Sequence, residues 1–336
     1  MVKSPPPLVW IALVLITLVT VAIMCVETDN HQAYRWALIN LAGLSMASVI
    51  LLLLGEMLSR KWFLLVEDEL LPAGFAIIIT LIMAVPLFFI SPPDLVEMLP
   101  TDRSGQQEMW FAGPAVLIRL LLFVIAALAV PWLMMKRTKL RHMTGIILLP
   151  VSGVLFFLVT VDWVMLRQPL WWSALIPISF VVNQLTGALA LTLVYHLSQR
   201  EEGHITAFSS LASALLTLAL LDLWIGFSHF LIAWSGNLPD AARWYLYRAD
   251  VALPAIILAI IFHIGAIAAL IISRSKKVML YASLSLLAAY CCNALWVYGE
   301  FGIISIITML WPVILWLGWL TALAHLYDVH RGRDAS

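Results

Sequence analysis

VALPAIILAIIFHIGAIAALIISRSKKVMLYASLSLLAAYCCNALWVY, residues 251–298, decides the fold. Two apolar runs, 249–273 and 277–298, flank a short basic turn around Arg274, Lys276 and Lys277. Each run has the roughly 20 residues that a helix needs to cross a bilayer. The same unit recurs along the chain. Of its 336 residues, 63% are hydrophobic and 11% charged, whereas a soluble domain carries about a quarter charged residues. Ten runs lie near 8–26, 35–58, 72–91, 113–135, 143–166, 172–197, 205–234, 249–273, 277–298 and 303–327. They predict an all-α, polytopic membrane helix bundle and one integral membrane domain over 1–336. The first run could be a signal peptide. Its length and the lack of a small-x-small cleavage site in AIMCVE favour a retained helix.

The net charge is zero, so nothing suggests nucleic acid as a partner. No Gly-rich phosphate loop, HExxH or CxxCH is present. Cys25, Cys291 and Cys292 are too few and too badly spaced for a zinc or Fe–S site. His229 and His263 lie at different depths, which disfavours a bis-His haem; His196 and His325 at the opposite ends are a second pair. The chain is therefore expected to bind no cofactor of its own.

Titratable groups inside spans are expensive and normally face protein or a cavity. Arg119 sits about two turns inside the fourth span, and Asp162 toward the end of the fifth. Asp222, Gly226 and His229 line one stripe of the seventh span, with Gly226 expected to admit a neighbouring helix. Asn183 and Gln184 lie in the sixth. Arg119, Asp162, Asp222 and His229 are expected to converge in the outward half of the bundle, with Asn183 or Gln184 lining the same cavity. Two roles stand side by side for the cluster, a proton path and a helix lock. Singly, Arg119 could snorkel to headgroups and the histidines could be hydrogen-bonded core residues.

FSHFLIAWSGNLPDAARWYLYR, residues 227–248, resembles the F-S-Q-F-L-I-I-W-S-G-N-L-P-E-E-x-x-W-Y-x-x-R signature of the ActF-type membrane subunit of alternative complex III. That bacterial complex is a quinol:electron-acceptor oxidoreductase. The matching loop residues are Ser235, Gly236, Asn237, Leu238, Pro239, Trp244, Tyr245 and Arg248. VDWVMLRQPLWWSALIPISFVVNQLTGALAL, 161–191, is similar to a second family pattern, D-W-x-M-S-L-[ED]-P-x-W, and FAGPAVLIRLLLFVIAALAV, 111–130, to a third stretch. Gln168 and Leu170 stand where the family has an acid and a His. The resemblance implies a non-catalytic integral subunit in the bacterial inner membrane that supports a quinol-binding sister subunit and takes part in proton translocation. Its partners would be other integral membrane subunits, periplasmic electron-transfer subunits and lipid, with quinol at an interface. The competing reading is a stand-alone transporter with a buried charged solute or proton site. A membrane enzyme is a third reading, unsupported by any nucleophile–base signature.

Orientation follows from Lys and Arg. The termini and the loops on their side, 59–71, 136–142, 198–204 and 274–276, with Lys277 at the start of the ninth span, carry 13 of the 19. The opposite loops carry five, Arg35, Arg103, Arg167, Arg243 and Arg248, and Arg119 lies within a span. Eight tryptophans (36, 110, 163, 171, 172, 234, 244 and 296) fall at the ends assigned to the outer face and are expected to be mostly interfacial anchors. Both termini should be cytoplasmic. Reporter fusions at Asp240 and Lys139 should therefore report opposite sides of the membrane; the same side for both would overturn the topology.

Overall fold

The computed structural model describes residues 6–26, 30–58, 63–90, 105–136, 141–167, 172–199, 205–299 and 302–334. Among them all regular structure is helical: α1 (Pro7–Val26), α2 (His31–Leu58), α3 (Phe63–Phe75), α4 (Ile77–Ile90), α5 (Gly105–Phe111), α6 (Gly113–Met135), α7 (Arg141–Trp163), a 3-10 turn (Met165–Arg167), α8 (Leu175–Gln199), α9 (Ile205–Ser235), α10 (Pro239–Ile272), α11 (Lys276–Tyr298) and α12 (Ile303–Asp334). Ten stretches are long and apolar enough to cross a membrane. The chain is a polytopic helical bundle of a multi-pass membrane protein.

Burial is distributed as lipid would demand. α2 is buried along most of its length and packs on α3, α4, α6, α7, α8 and α12. Outer helices show large apolar side chains instead, such as Ile23 on α1, Phe227 on α9 and Ile307 on α12. A soluble surface rarely carries so much contiguous apolar area. α1 is docked to α12 by two tryptophans: Trp319 Nε1 donates to Thr17 Oγ1 and Trp311 Nε1 to Thr20 Oγ1, both at 2.9 Å.

The third span is made of two helices, α3 and α4, which break at Ala76. Pro72 removes a backbone donor just before the break. The indole of Trp316 reaches the Ala76 carbonyl at 3.3 Å.

Several boundaries differ from expectation. Residues 59–71, read as a loop, contain most of α3, which begins at Phe63 and buries Glu67, Asp68 and Glu69. The polar segment 235–248 is a tight turn followed by the first turns of α10, which starts at Pro239 and runs 34 residues. Pro at the first helical position is preorganised for such a start. Arg35 and Arg248, counted with the loops, both lie in helices and are buried. Trp36, Trp244 and Trp296 are internal rather than interfacial, 6%, 4% and 6% exposed. Trp171 and the loop residues Arg60, Lys61, Arg103, Lys139 and Arg200 lie outside the described residues.

Gly226 does not admit a helix: a Cβ there would meet nothing within 4 Å. The close approaches are elsewhere. A Cβ at Gly43 would lie 2.7 Å from Gln184 Cδ, and one at Gly187 would lie 2.8 Å from Tyr290 and 3.2 Å from Leu44. Gly187→Val should therefore push α8 off α2 and α11. Overpacking of this kind costs about 1–3 kcal/mol, read as a lowered unfolding temperature of the purified chain in detergent; Gly226→Ala should leave that temperature unchanged.

Candidate functional site

The fold sorts the polar residues into separate pairs, each between two or three helices. Arg119, six residues into α6, is about 9 Å from the helix start. Its Nε donates to Asp162 Oδ2 at 2.7 Å and its Nη2 to Asp162 Oδ1 at 2.8 Å. This is the bidentate fork that suits guanidinium and carboxylate. Nη2 also donates to the Trp110 carbonyl at 2.8 Å, and the guanidinium lies 4.5 Å from the Trp110 ring. Trp110 belongs to α5, the short helix in the long loop, so that helix lids the pair. Asp162 is 1% and Arg119 8% exposed, which rules out snorkelling to the headgroups.

Asp222 belongs to another interface. Asn183 Nδ2 on α8 donates to Asp222 Oδ2 on α9 at 2.9 Å. Gln184, the next residue along α8, faces the other way. Its Nε2 donates to Asn40 Oδ1 at 3.1 Å on α2. The Tyr290 hydroxyl on α11 lies 2.9 Å from Gln184 Oε1 and 3.2 Å from Asn40 Oδ1. Asn40 Nδ2 closes the set by donating to the Trp36 carbonyl at 2.9 Å. Neither Asn40 nor Tyr290 stood out in the sequence, since one amide and one phenol barely dent the hydropathy of a span.

His229 shares the stripe of Asp222 but points into a third environment. Its Nδ1 is 3.1 Å from the Tyr245 hydroxyl, and its ring meets Trp244 edge to face at 5.8 Å. Tyr245 and Trp244 both stack near Trp296 of α11. Arg248 completes this group. Its guanidinium lies 3.8 Å from the Trp244 ring, and it donates to the carbonyls of Trp244 at 3.3 Å and Val297 at 3.1 Å. Gly299, which ends α11 at φ 76°, sits against the Arg248 side chain; a Cβ there would be 3.4 Å from it and strained. The turn above is equally built. Gly236 N–H closes α9 on the Ile232 carbonyl at 2.9 Å, Asn237 takes φ 45°, and Leu238 accepts from Ala242 N–H at 2.9 Å. Asparagine tolerates this left-handed conformation better than most residues. Trp234, Ser235, Gly236, Asn237, Leu238 and Pro239 are exposed.

Thus the structure joins Arg119 with Asp162, and Asp222 with Asn183. The expected single cluster is distributed over the α6–α7, α8–α9 and α9–α10 interfaces, with Gln184 on a fourth. At the opposite end, His196 Nδ1 and Glu69 Oε1 lie 2.9 Å apart and join α8 to α3, a contact that the charged run 67–69 hides in the sequence by resembling a loop. His263 Nε2 is 2.8 Å from the Ala219 carbonyl. Among the described residues, no three His, Cys, Asp or Glu side chains are grouped to hold a metal ion. Gln168 and Leu170 lie outside the described residues. No family model matches the chain, and no curated protein is significantly similar to it.

The Arg119–Asp162 pair gives a direct test. Arg119→Ala leaves a buried carboxylate without its counter-charge and should destabilise by about 3–5 kcal/mol. Arg119→Met combined with Asp162→Leu should recover most of that loss in thermal unfolding of the purified chain.

Proposed function

We propose that the chain is an integral membrane subunit of a quinol-oxidising respiratory assembly of the alternative complex III type, ActF-like, in a bacterial inner membrane. Its part is to buttress a quinol-binding neighbour. The observation that carries this reading is the organisation of the 227–248 segment. His229, Trp244, Tyr245 and Arg248, all positions of the family-like signature or beside it, interlock beneath the turn. The turn itself is closed by backbone hydrogen bonds and shows two large apolar side chains outward, Trp234 76% and Leu238 42% exposed. A preordered turn flanked by exposed aromatics suits docking, because little conformational entropy is lost on binding.

The polar pairs support the supporting role as well. Each joins neighbouring helices, and hydrogen bonds of this kind hold helices together where lipid supplies no hydrophobic drive. Proton passage is the finer part of the reading. It is favoured by Asp222 and His229, two titratable groups about 10 Å apart along α9. A stand-alone transporter remains the second reading, favoured by a cavity at Arg35 that is described below.

The test is purification of the tagged chain from its native membrane in a mild detergent. The expected result is stoichiometric recovery with other membrane subunits and an electron-transfer protein carrying haem or Fe–S clusters. The double variant Trp234→Ala, Leu238→Asp should fold normally and lose that recovery. A stable monomer that moves a solute into liposomes would decide for the transporter.

A further inference from the structure

One cavity stands apart from the paired groups. It lies at the same end as the α9–α10 turn, enclosed by α2 from Arg35 to Gly43, α4 from Thr80 to Phe88, the third and fourth turns of α6, the end of α7 and the start of α8. The open space within it, mouth included, is about 840 Å³. Leu38, Phe123, Phe156 and Phe180 make an apolar wall. Arg35 and Trp163 interrupt it.

Arg35 is only 2% exposed. Its Nε and Nη2 are buried with no hydrogen-bond partner among the described residues, and so is Trp163 Nε1. Among the described residues, no acidic side chain lines the cavity. The Thr160 hydroxyl on the wall already donates to the Phe156 carbonyl at 2.8 Å. The cavity therefore offers N–H donors and one positive charge. A buried guanidinium at membrane depth needs an opposite charge or a water-filled surround. Water is held by two to four polar partners, and this wall is too apolar to sustain a water-filled surround. Buried donors left unmatched are rare and mark a missing acceptor.

We propose that this cavity binds one amphipathic anion, its carboxylate or phosphate head on Arg35 and Trp163 Nε1 and its acyl chain along the phenylalanine wall. The planar fork of arginine matches both heads. Phe88 of α4 lines the cavity and is 42% exposed, so the chain enters from the lipid side. A free fatty acid and an anionic phospholipid share this chemistry. A neutral quinone would accept from the same donors but leave the charge unmatched. The site is independent of whether the chain is a subunit or acts alone.

The full-length chain in phosphatidylcholine nanodiscs tests the site. Oleate, phosphatidylglycerol and a decyl-substituted benzoquinone are titrated separately while thermal unfolding is followed. Oleate or phosphatidylglycerol should raise the unfolding temperature saturably, as binding to the folded state requires, and whichever does so identifies the source of the anion. Arg35→Gln should need at least about tenfold more anion for the same rise, a loss of about 1.4 kcal/mol. Ala84→Phe fills the cavity while leaving every polar group in place; it should abolish the rise and serves where Arg35→Gln does not fold. A rise that persists in the variants, no rise with either anion, or a rise with the quinone alone overturns the proposal.

Discussion

Gln184 sits between Asn40 and Tyr290, and this uncharged knot ties α8 to the central helix and to α11 at once. Lipid is as apolar as leucine, so helices in a bilayer are not pressed together by water. Close backbone approach and internal hydrogen bonds do that work, and both occur here. Gly43 and Gly187 flank the knot, and neither position has room for a Cβ. Because the knot fixes the rotation of α8, it also fixes where Asn183 points. Successive residues on a helix are about 100° apart, so Gln184 turned inward to α2 sends Asn183 to α9 and Asp222. The position of one amide thus sets the partner of a buried acid on another helix.

That rotation explains what the sequence conveyed about the polar groups and what it did not. Spacing along one chain gives depth: Asp162, Asp222 and His229 are where the span count puts them. It gives no azimuth. Arg119 and Asp162 meet because α6 and α7 are consecutive antiparallel helices with their polar ends at one level. Asp222 and His229 share a stripe, yet α9 leans on α8 at one and on α10 at the other. Grouping all four required knowing which helices are neighbours, and hydropathy holds no such information.

The spans themselves were legible because a bilayer imposes length and apolarity on every crossing segment. Errors fall where helix continues past that requirement. α3 starts at Phe63 because Glu67, Asp68 and Glu69 are buried inside protein, where charge no longer reads as loop. α10 starts at Pro239 because Trp244, Tyr245 and Arg248 pack on α9 and α11, not on lipid. The tryptophans mislead in the same way. An indole at a span end satisfies its N–H equally well on water or on a carbonyl, and Trp36 uses that of Ala294 at 2.9 Å.

Three arginines at one end of the bundle show how far the chain meets its own electrostatic needs. Ten alternating spans place α2, α6 and α10 with their first turns at that end, and each carries a buried arginine there. Arg119 has a carboxylate, two charge-assisted hydrogen bonds and a backbone carbonyl. Around the charge of Arg248 lie two carbonyls and the Trp244 face. Arg35 is the most deeply buried of the three, and its Nε and Nη2 find no acceptor among the described residues. Desolvation acts on all of them, so the difference lies in what surrounds each. The first two are closed by protein and serve packing. The third opens on a lipid-sided cavity whose wall matches an acyl chain, and there the proposed anion would meet its charge.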